Sequence, residues 1–233
     1  MSNIPYRTAL IVGAGPGISA SLARALTADG VKVGLAAREP DRLATLAGET
    51  GAVCFEVDAA EPDAVASLFE QVEARIGEPD LVLYNASGRT RGPIAELDPE
   101  AVRQSLAVSA YGGFLVTQQA ARRMIPRGHG AILLTGASAS VKGFALSAPF
   151  AMGKFALRGL AQSAARELAP LGIHVAHFII DGGVRSASRP DPTDRPNSTL
   201  DPDAIAQSYL DVLRQPRSAW SWEVELRPWT ESF

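Results

Sequence analysis

Gly13, Gly15 and Gly17 alternate with Ala14 and Pro16 between the apolar run Ala9-Leu-Ile-Val12 and the segment Ile18-Ser19. A strand that turns through glycine into a helix leaves backbone amides uncovered. The helix start adds partial positive charge, so the pattern suits a pyrophosphate. The strict G-x-G-x-x-G spacing is not met, because Ile18 stands where the last glycine would be, and a tight turn with no ligand is the competing reading. A second run, Ala36-Ala37-Arg38, bears on which dinucleotide would fit. Recognition of a free ribose 2′-hydroxyl calls for a carboxylate near Ala37, and alanine offers none. Arg38 can instead hold a 2′-phosphate through a charge-assisted fork, which favours NADP(H) over NAD(H). The alternative is an ordinary surface arginine with Glu39 beside it.

The elements that must position these residues follow from periodicity. Short apolar runs alternate with longer segments of helical period, the pattern of βαβ units and a parallel sheet. Strands are expected at Thr8–Val12, Lys32–Ala36, Val53–Val57, Leu81–Tyr84, Ala131–Thr135 and His174–Ile180, with helices near 18–29, 39–48, 62–76, 99–125 and 150–169. Glu61-Pro62-Asp63 and Asp98-Pro99-Glu100 carry proline in a first turn. The fold class is therefore α/β, a single doubly wound Rossmann-type parallel sheet with helices on both faces. The 233 residues, 46% hydrophobic, suffice for one domain over 1–233. Residues 187–202 hold four prolines and almost nothing apolar, which reads as a loop over a ligand site. Trp220-Ser-Trp-Glu-Val-Glu-Leu alternates like a final edge strand.

Composition narrows the function classes. The net charge is −3 and the 22 basic residues are scattered, so no nucleic-acid stripe is expected. The first apolar run is too short for a signal peptide core or a membrane span, which predicts a soluble, cytoplasmic protein. Cys54 is alone and lies in an apolar run, so it reads as a buried hydrophobe. His174 and His177 differ by three and should point to opposite faces of a strand, so no metal site is expected.

Over roughly residues 6–227 the chain resembles the short-chain dehydrogenase/reductase superfamily. Gly13 and Gly17 match the T-G-x-x-x-G-x-G of that family, with Val12 for the threonine and Ser19 for the last glycine, where looser helix packing is expected. Val57-Asp58 follows the third strand, where the family's aspartate accepts from the adenine amino group. Tyr84-Asn85-Ala86-Ser87 resembles N-N-A-G, with Asn85 and Ala86 conforming and Tyr84 and Ser87 departing. The resemblance thus implies cofactor contacts at Gly13, Gly15, Gly17, Ile18, Arg38, Asp58, Asn85 and Ala86. Val184 and Ser186 join them through Asp181-Gly-Gly-Val-Arg-Ser186, which is similar to P-G-x-V-x-T.

The catalytic positions depart further. Phe150-x-x-x-Lys154 stands where the family has Y-x-x-x-K, and phenylalanine has no proton to give. Residues at i and i+4 share a helix face, so Lys154 can keep its family role on the nicotinamide ribose. Ser109 replaces the family's asparagine, which helps hold a proton-relay water. Counting thirteen back from Phe150 places the family's serine at Ala137, and Ser138 reaches that place only with a one-residue loop difference. Water, Ser138, Tyr111 or Asp181 are alternative proton sources, although Asp181 also suits a turn cap. The leading expectation is an NADP(H)-dependent oxidoreductase acting on a small carbonyl or alcohol with a non-standard proton donor. The alternative is a catalytically silent NADP(H)-binding sensor or partner subunit. The family pairs the helices near 99–125 and 150–169 between subunits, which implies a homodimer or homotetramer here. Small residues such as Gly112, Gly113, Ala156, Gly159 and Ala161 would permit that packing or serve internal contacts.

Overall fold

The structure, a computed structural model, describes residues 4–231. Seven strands form in chain order: β1 (Thr8–Val12), β2 (Lys32–Ala37), β3 (Val53–Glu56), β4 (Leu81–Tyr84), β5 (Gly130–Thr135), β6 (Ile173–Ile180) and β7 (Glu223–Leu226). They pair in the order β3-β2-β1-β4-β5-β6-β7, parallel throughout. The helices are α1 (Ile18–Ala28), α2 (Ala44–Thr50), α3 (Pro62–Ile76), α4 (Pro99–Leu106), α5 (Gly112–Met124), α6 (Ala148–Leu168) and α7 (Pro202–Leu213).

Strand alternation divides the core into two layers. Ala9 and Ile11 of β1 face a layer that includes Leu22 and Leu26 of α1 and Ile205, Tyr209 and Leu213 of α7. Leu10 and Val12 face the other layer, against side chains of α3, α5 and α6. Because both faces are covered, β1 and β4 are buried along their whole length, which explains their continuous apolar sequences. The strand order reverses between β1 and β4, so the turns leaving these two strands diverge and open a crevice at their carboxyl ends.

Three expectations change. The helix expected over 99–125 is interrupted: α4 and α5 are separated by a π-helical turn at Ala107–Tyr111. Within that turn the Val108 carbonyl accepts from the Tyr84 hydroxyl, and the Ser109 hydroxyl bonds the Gly88 backbone. Two tertiary bonds thus draw the turn inward, a common cause of such a bulge. The helix α7 was not expected, although Asp201-Pro202-Asp203 carries the same start signal as α4 and the Asp201 carboxylate accepts from the Asp203 amide. Cys54 is only half-buried, because β3 lies at the sheet edge. The expected edge strand is present as β7, and the helix expected at 39–48 begins as a 3₁₀ turn, Pro40–Leu43, before α2. Among the described residues no helix is long and apolar enough to cross a membrane.

Candidate functional site

The crevice at the ends of β1 to β4 contains a cavity of about 420 Å³, and Gly13, Gly15, Arg38, Asp58, Asn85 and Ala86 all line it. Gly13 has φ +82°, and a Cβ there would lie 2.2 Å from the Ala86 amide nitrogen. Only glycine allows the turns after β1 and β4 to pass so closely. The Gly13 and Ala14 amides both donate to the Ala36 carbonyl, at 2.9 and 3.0 Å, which ties the turn to β2. At Gly15 and Gly17 a Cβ would meet nothing within 4 Å, so the chain leaves an open cradle there as α1 begins. Ser19 corrects the expectation of looser packing: it is fully buried. Its hydroxyl donates to the Gly13 carbonyl at 3.3 Å and accepts from Asn85 Nδ2 at 2.8 Å. A glycine there would leave Asn85 unheld.

Arg38 is exposed, and among the described residues its guanidinium has no ion-pair or hydrogen-bond partner. Glu39 does not neutralise it, since Glu39 pairs with Arg42 at 2.8 Å. Arg42, which the sequence reading missed, also lines the cavity. The Asp58 carboxylate accepts from the Ala60 amide at 2.9 Å. An open cradle and a guanidinium free of carboxylates can receive the phosphates of a dinucleotide.

A second cleft, of about 230 Å³, is lined by Ser138 and Phe150 together with Arg89, Arg91, Phe144 and Ser147. Of the proposed proton sources, Ser138 alone reaches this cleft. Tyr111 is exposed and stacks on Phe114, and Asp181 is ion-paired with Lys142 at 3.5 Å and Arg227 at 3.2 Å. Asp181 is therefore a buried ion-pair centre rather than a free acid. Ser109 is fully buried and shares its hydroxyl with the Gly88 amide at 2.9 Å. Val184 and Ser186 line neither cavity. Val184 bridges to Leu200, and the Ser186 hydroxyl accepts from the Arg189 amide within its own turn.

Lys154 is 3% exposed, and its Nζ donates to the Thr135 carbonyl at 2.7 Å. Burial, with a smaller contribution from the Arg89 charge, lowers its pKa to about 8. Behind Ser138 lies a polar network that the sequence did not reveal. Arg158 forks onto Glu223 at 2.6 and 2.8 Å, and Glu223 meets His177 Nδ1 at 3.2 Å. His177 Nε2 meets the Ser140 hydroxyl at 3.3 Å, which in turn accepts from the Ala137 amide. Burial outweighs the pull of Glu223 and lowers the His177 pKa to about 4, so the ring is neutral and serves as scaffold for the Ala137–Ser140 turn.

The chain matches the short chain dehydrogenase family over residues 7–193 and is a member of it. It is 30% identical over 217 residues to a 2,5-dichloro-2,5-cyclohexadiene-1,4-diol dehydrogenase of Sphingobium indicum, covering 91% of this chain and 84% of that one. A short-chain dehydrogenase from Rhodopseudomonas palustris superposes with TM-score 0.82 at 34% identity, over 96% of this chain and 99% of that one. An alcohol dehydrogenase from Thermococcus sibiricus, solved with 5-hydroxy-NADP, gives TM-score 0.84 at 26% identity, over 97% and 98% of the two chains. Family and relatives together mark the protein as an oxidoreductase.

The buried lysine has a measurable consequence. Its folded pKa of about 8 lies below the unfolded value near 10.5, so the unfolded chain binds the extra proton between those pH values. Stability contributed by this site therefore rises with pH across that window. In ligand-free protein, the unfolding free energy of wild type relative to Lys154→Met should increase by about 2 kcal/mol from pH 7.5 to 10. Urea titrations at both pH values check this, and a difference independent of pH would contradict it.

Proposed function

We propose that the chain is an NADP(H)-dependent oxidoreductase that acts on a small carbonyl or alcohol by hydride transfer, with a proton donor other than tyrosine. The observation that carries this reading is the unpaired Arg38 guanidinium beside a glycine cradle, with Ala37 where a carboxylate would select NAD(H). The Thermococcus sibiricus relative, an alcohol dehydrogenase solved with 5-hydroxy-NADP, supports it. Gly13, Gly15, Gly17 and Ile18 would hold the pyrophosphate end. Arg38, with Arg42 beside it, would hold the 2′-phosphate, and Asp58, Asn85 and Ala86 the adenosine side. Lys154 would meet the ribose nearest the reacting carbon, and the Val184–Ser186 turn would close over it. A nicotinamide held there supplies the hydride chemistry.

Phe150 stands at the position of the family tyrosine and walls the second cleft without offering a proton. Ser138 supplies the hydroxyl that meets the substrate oxygen, and the proton arrives through it from the solvent to which the cleft opens. Charged Lys154 favours negative charge developing on that oxygen. Membership of the oxidoreductase family weighs against a silent sensor.

The same helices suggest the assembly. Gly112 and Gly113 serve internal contacts, since a Cβ at either would strike Tyr84 or Leu157. Met152 and Phe155 on α6, Phe114 on α5 and Tyr111 just before α5 instead remain exposed, and Ala156 and Gly159 lie exposed along α6. That apolar face would pair copies of the chain in solution as a homodimer or homotetramer, since exposed apolar patches of this kind mark interfaces.

Three measurements test the reading. Fluorescence titration should show NADPH binding more tightly than NADH, with Arg38→Ala weakening NADPH by about tenfold or more and NADH hardly at all. Equal affinity for both cofactors, unchanged in the variant, would remove the NADP(H) assignment. Restoring the acid with Phe150→Tyr should raise carbonyl-reduction kcat by about 10²-fold, as a placed general acid does. An unchanged kcat would show that Phe150 is not at the proton-donor position. Phe155→Glu should reduce the mass seen by light scattering to that of a monomer, whereas an unshifted oligomer would place the interface elsewhere.

A further inference from the structure

The second cleft carries a charge that the preceding chemistry does not use. Arg89 and Arg91 leave the turn after β4 and line it. Arg189, outside the lining, packs so that a Cβ on Gly183 would lie 3.1 Å from its Nη1, and its charge acts on Arg89. Among the described residues none of the three makes an ion pair. The nearest buried carboxylate, Asp181, is already shared between Lys142 and Arg227. Arg89 lies over the Phe150 ring with its guanidinium carbon 4.3 Å from the centroid. Stacking occupies the face of the guanidinium and leaves its in-plane N–H donors free. Burial, followed by the like charges of Arg91 and Arg189, pushes its pKa down.

Two unneutralised guanidiniums line the cleft and a third, Arg189, adds its charge nearby; their repulsion is relieved when an anion enters. Beside the arginines the lining offers an apolar side in Phe144, Phe150 and Ile180, with the hydroxyls of Ser138 and Ser147 among them. Its rim is held rather than loose. The Gly92 amide donates to the Leu146 carbonyl at 3.1 Å, joining the arginine-bearing loop to the one carrying Phe144. Leu146 adopts φ +61°, a conformation costly for leucine that the surrounding structure must sustain.

We propose that the substrate carries an anionic group, a carboxylate or a phosphate, which Arg89 and Arg91 receive while an apolar body lies against Phe144 and Phe150. Arg189 adds to the attraction from the Pro-rich segment. The proposal deepens the oxidoreductase reading and rests on it for the reacting carbon. With an overall charge of −3, the protein would otherwise repel such anions, so the local cationic cleft provides the selectivity.

The test uses three ketones with the same core: 4-acetylbenzoate, its methyl ester and 4-acetylphenyl phosphate. Each is titrated calorimetrically into the full chain, with NADPH titrated separately. At least one anionic ketone should bind about tenfold or more tightly than the ester, and which one does distinguishes carboxylate from phosphate. Arg89→Met and Arg91→Met should each reduce that preference to about threefold or less while leaving the NADPH affinity within about twofold. Binding of the ester as tightly as both anions overturns the proposal. So does a loss of NADPH affinity in the variants as large as the loss for the anion, which would assign the arginines to the cofactor phosphates. Anion preference in a protein that binds no NADPH upholds the anion site and overturns the cofactor reading instead.

Discussion

The site is organised by the close passage of the turn after β1 against the turn after β4. The two strands are adjacent and parallel, yet the chain continues from them in opposite directions across the sheet. Their turns must therefore pass each other at van der Waals distance before they diverge. Gly13 makes this possible, since any Cβ would meet the Ala86 backbone. Once the turns have passed, the Ser19 hydroxyl and Asn85 fasten one to the other. The cradle of Gly15 and Gly17 opens beside this junction, and the β2 and β3 ends bring Arg38 and Asp58 to the same cavity.

The substrate side is built by a different device. Side chains around it have taken structural posts. Tyr84 reaches the Val108 carbonyl, and Ser109 bonds the Gly88 backbone. Together they hold the π turn that breaks the long helix and position the loop carrying Arg89 and Arg91. Beneath the Ala137–Ser140 turn, Arg158, Glu223, His177 and Ser140 form a continuous network that runs from the half-exposed Arg158 to the buried Ser140. A network of this kind is favourable only when every member is satisfied, so it fixes the turn in one arrangement. The Phe150 ring then serves as a platform for Arg89.

Legibility in the sequence varied with the range of the interactions. The strand runs and the glycine turn rest on local patterning, and the seven-stranded parallel sheet follows from it. The π turn was invisible, because helical periodicity continues through Ala107–Tyr111 and only tertiary bonds from Tyr84 and Gly88 break it. The start signal of α7 was present at Asp201-Pro202 but was masked by the proline-rich stretch before it. Arg89 and Arg91 were equally plain in the sequence. Their convergence with Arg189, about a hundred positions later, depended on two loops meeting beside one cleft.

What the sequence by itself determined is the succession of strands along the chain, the glycine turn and the absence of a carboxylate at Ala37. Each of these depends on residue type and spacing within about twenty positions. The tertiary structure alone decided which charges remain free. Glu39 is taken by Arg42 and Asp181 by Lys142 and Arg227, whereas Arg38, Arg89 and Arg91 have no acid partner among the described residues. Composition cannot distinguish a paired arginine from an unpaired one, because pairing depends on distance and burial between segments far apart in the chain.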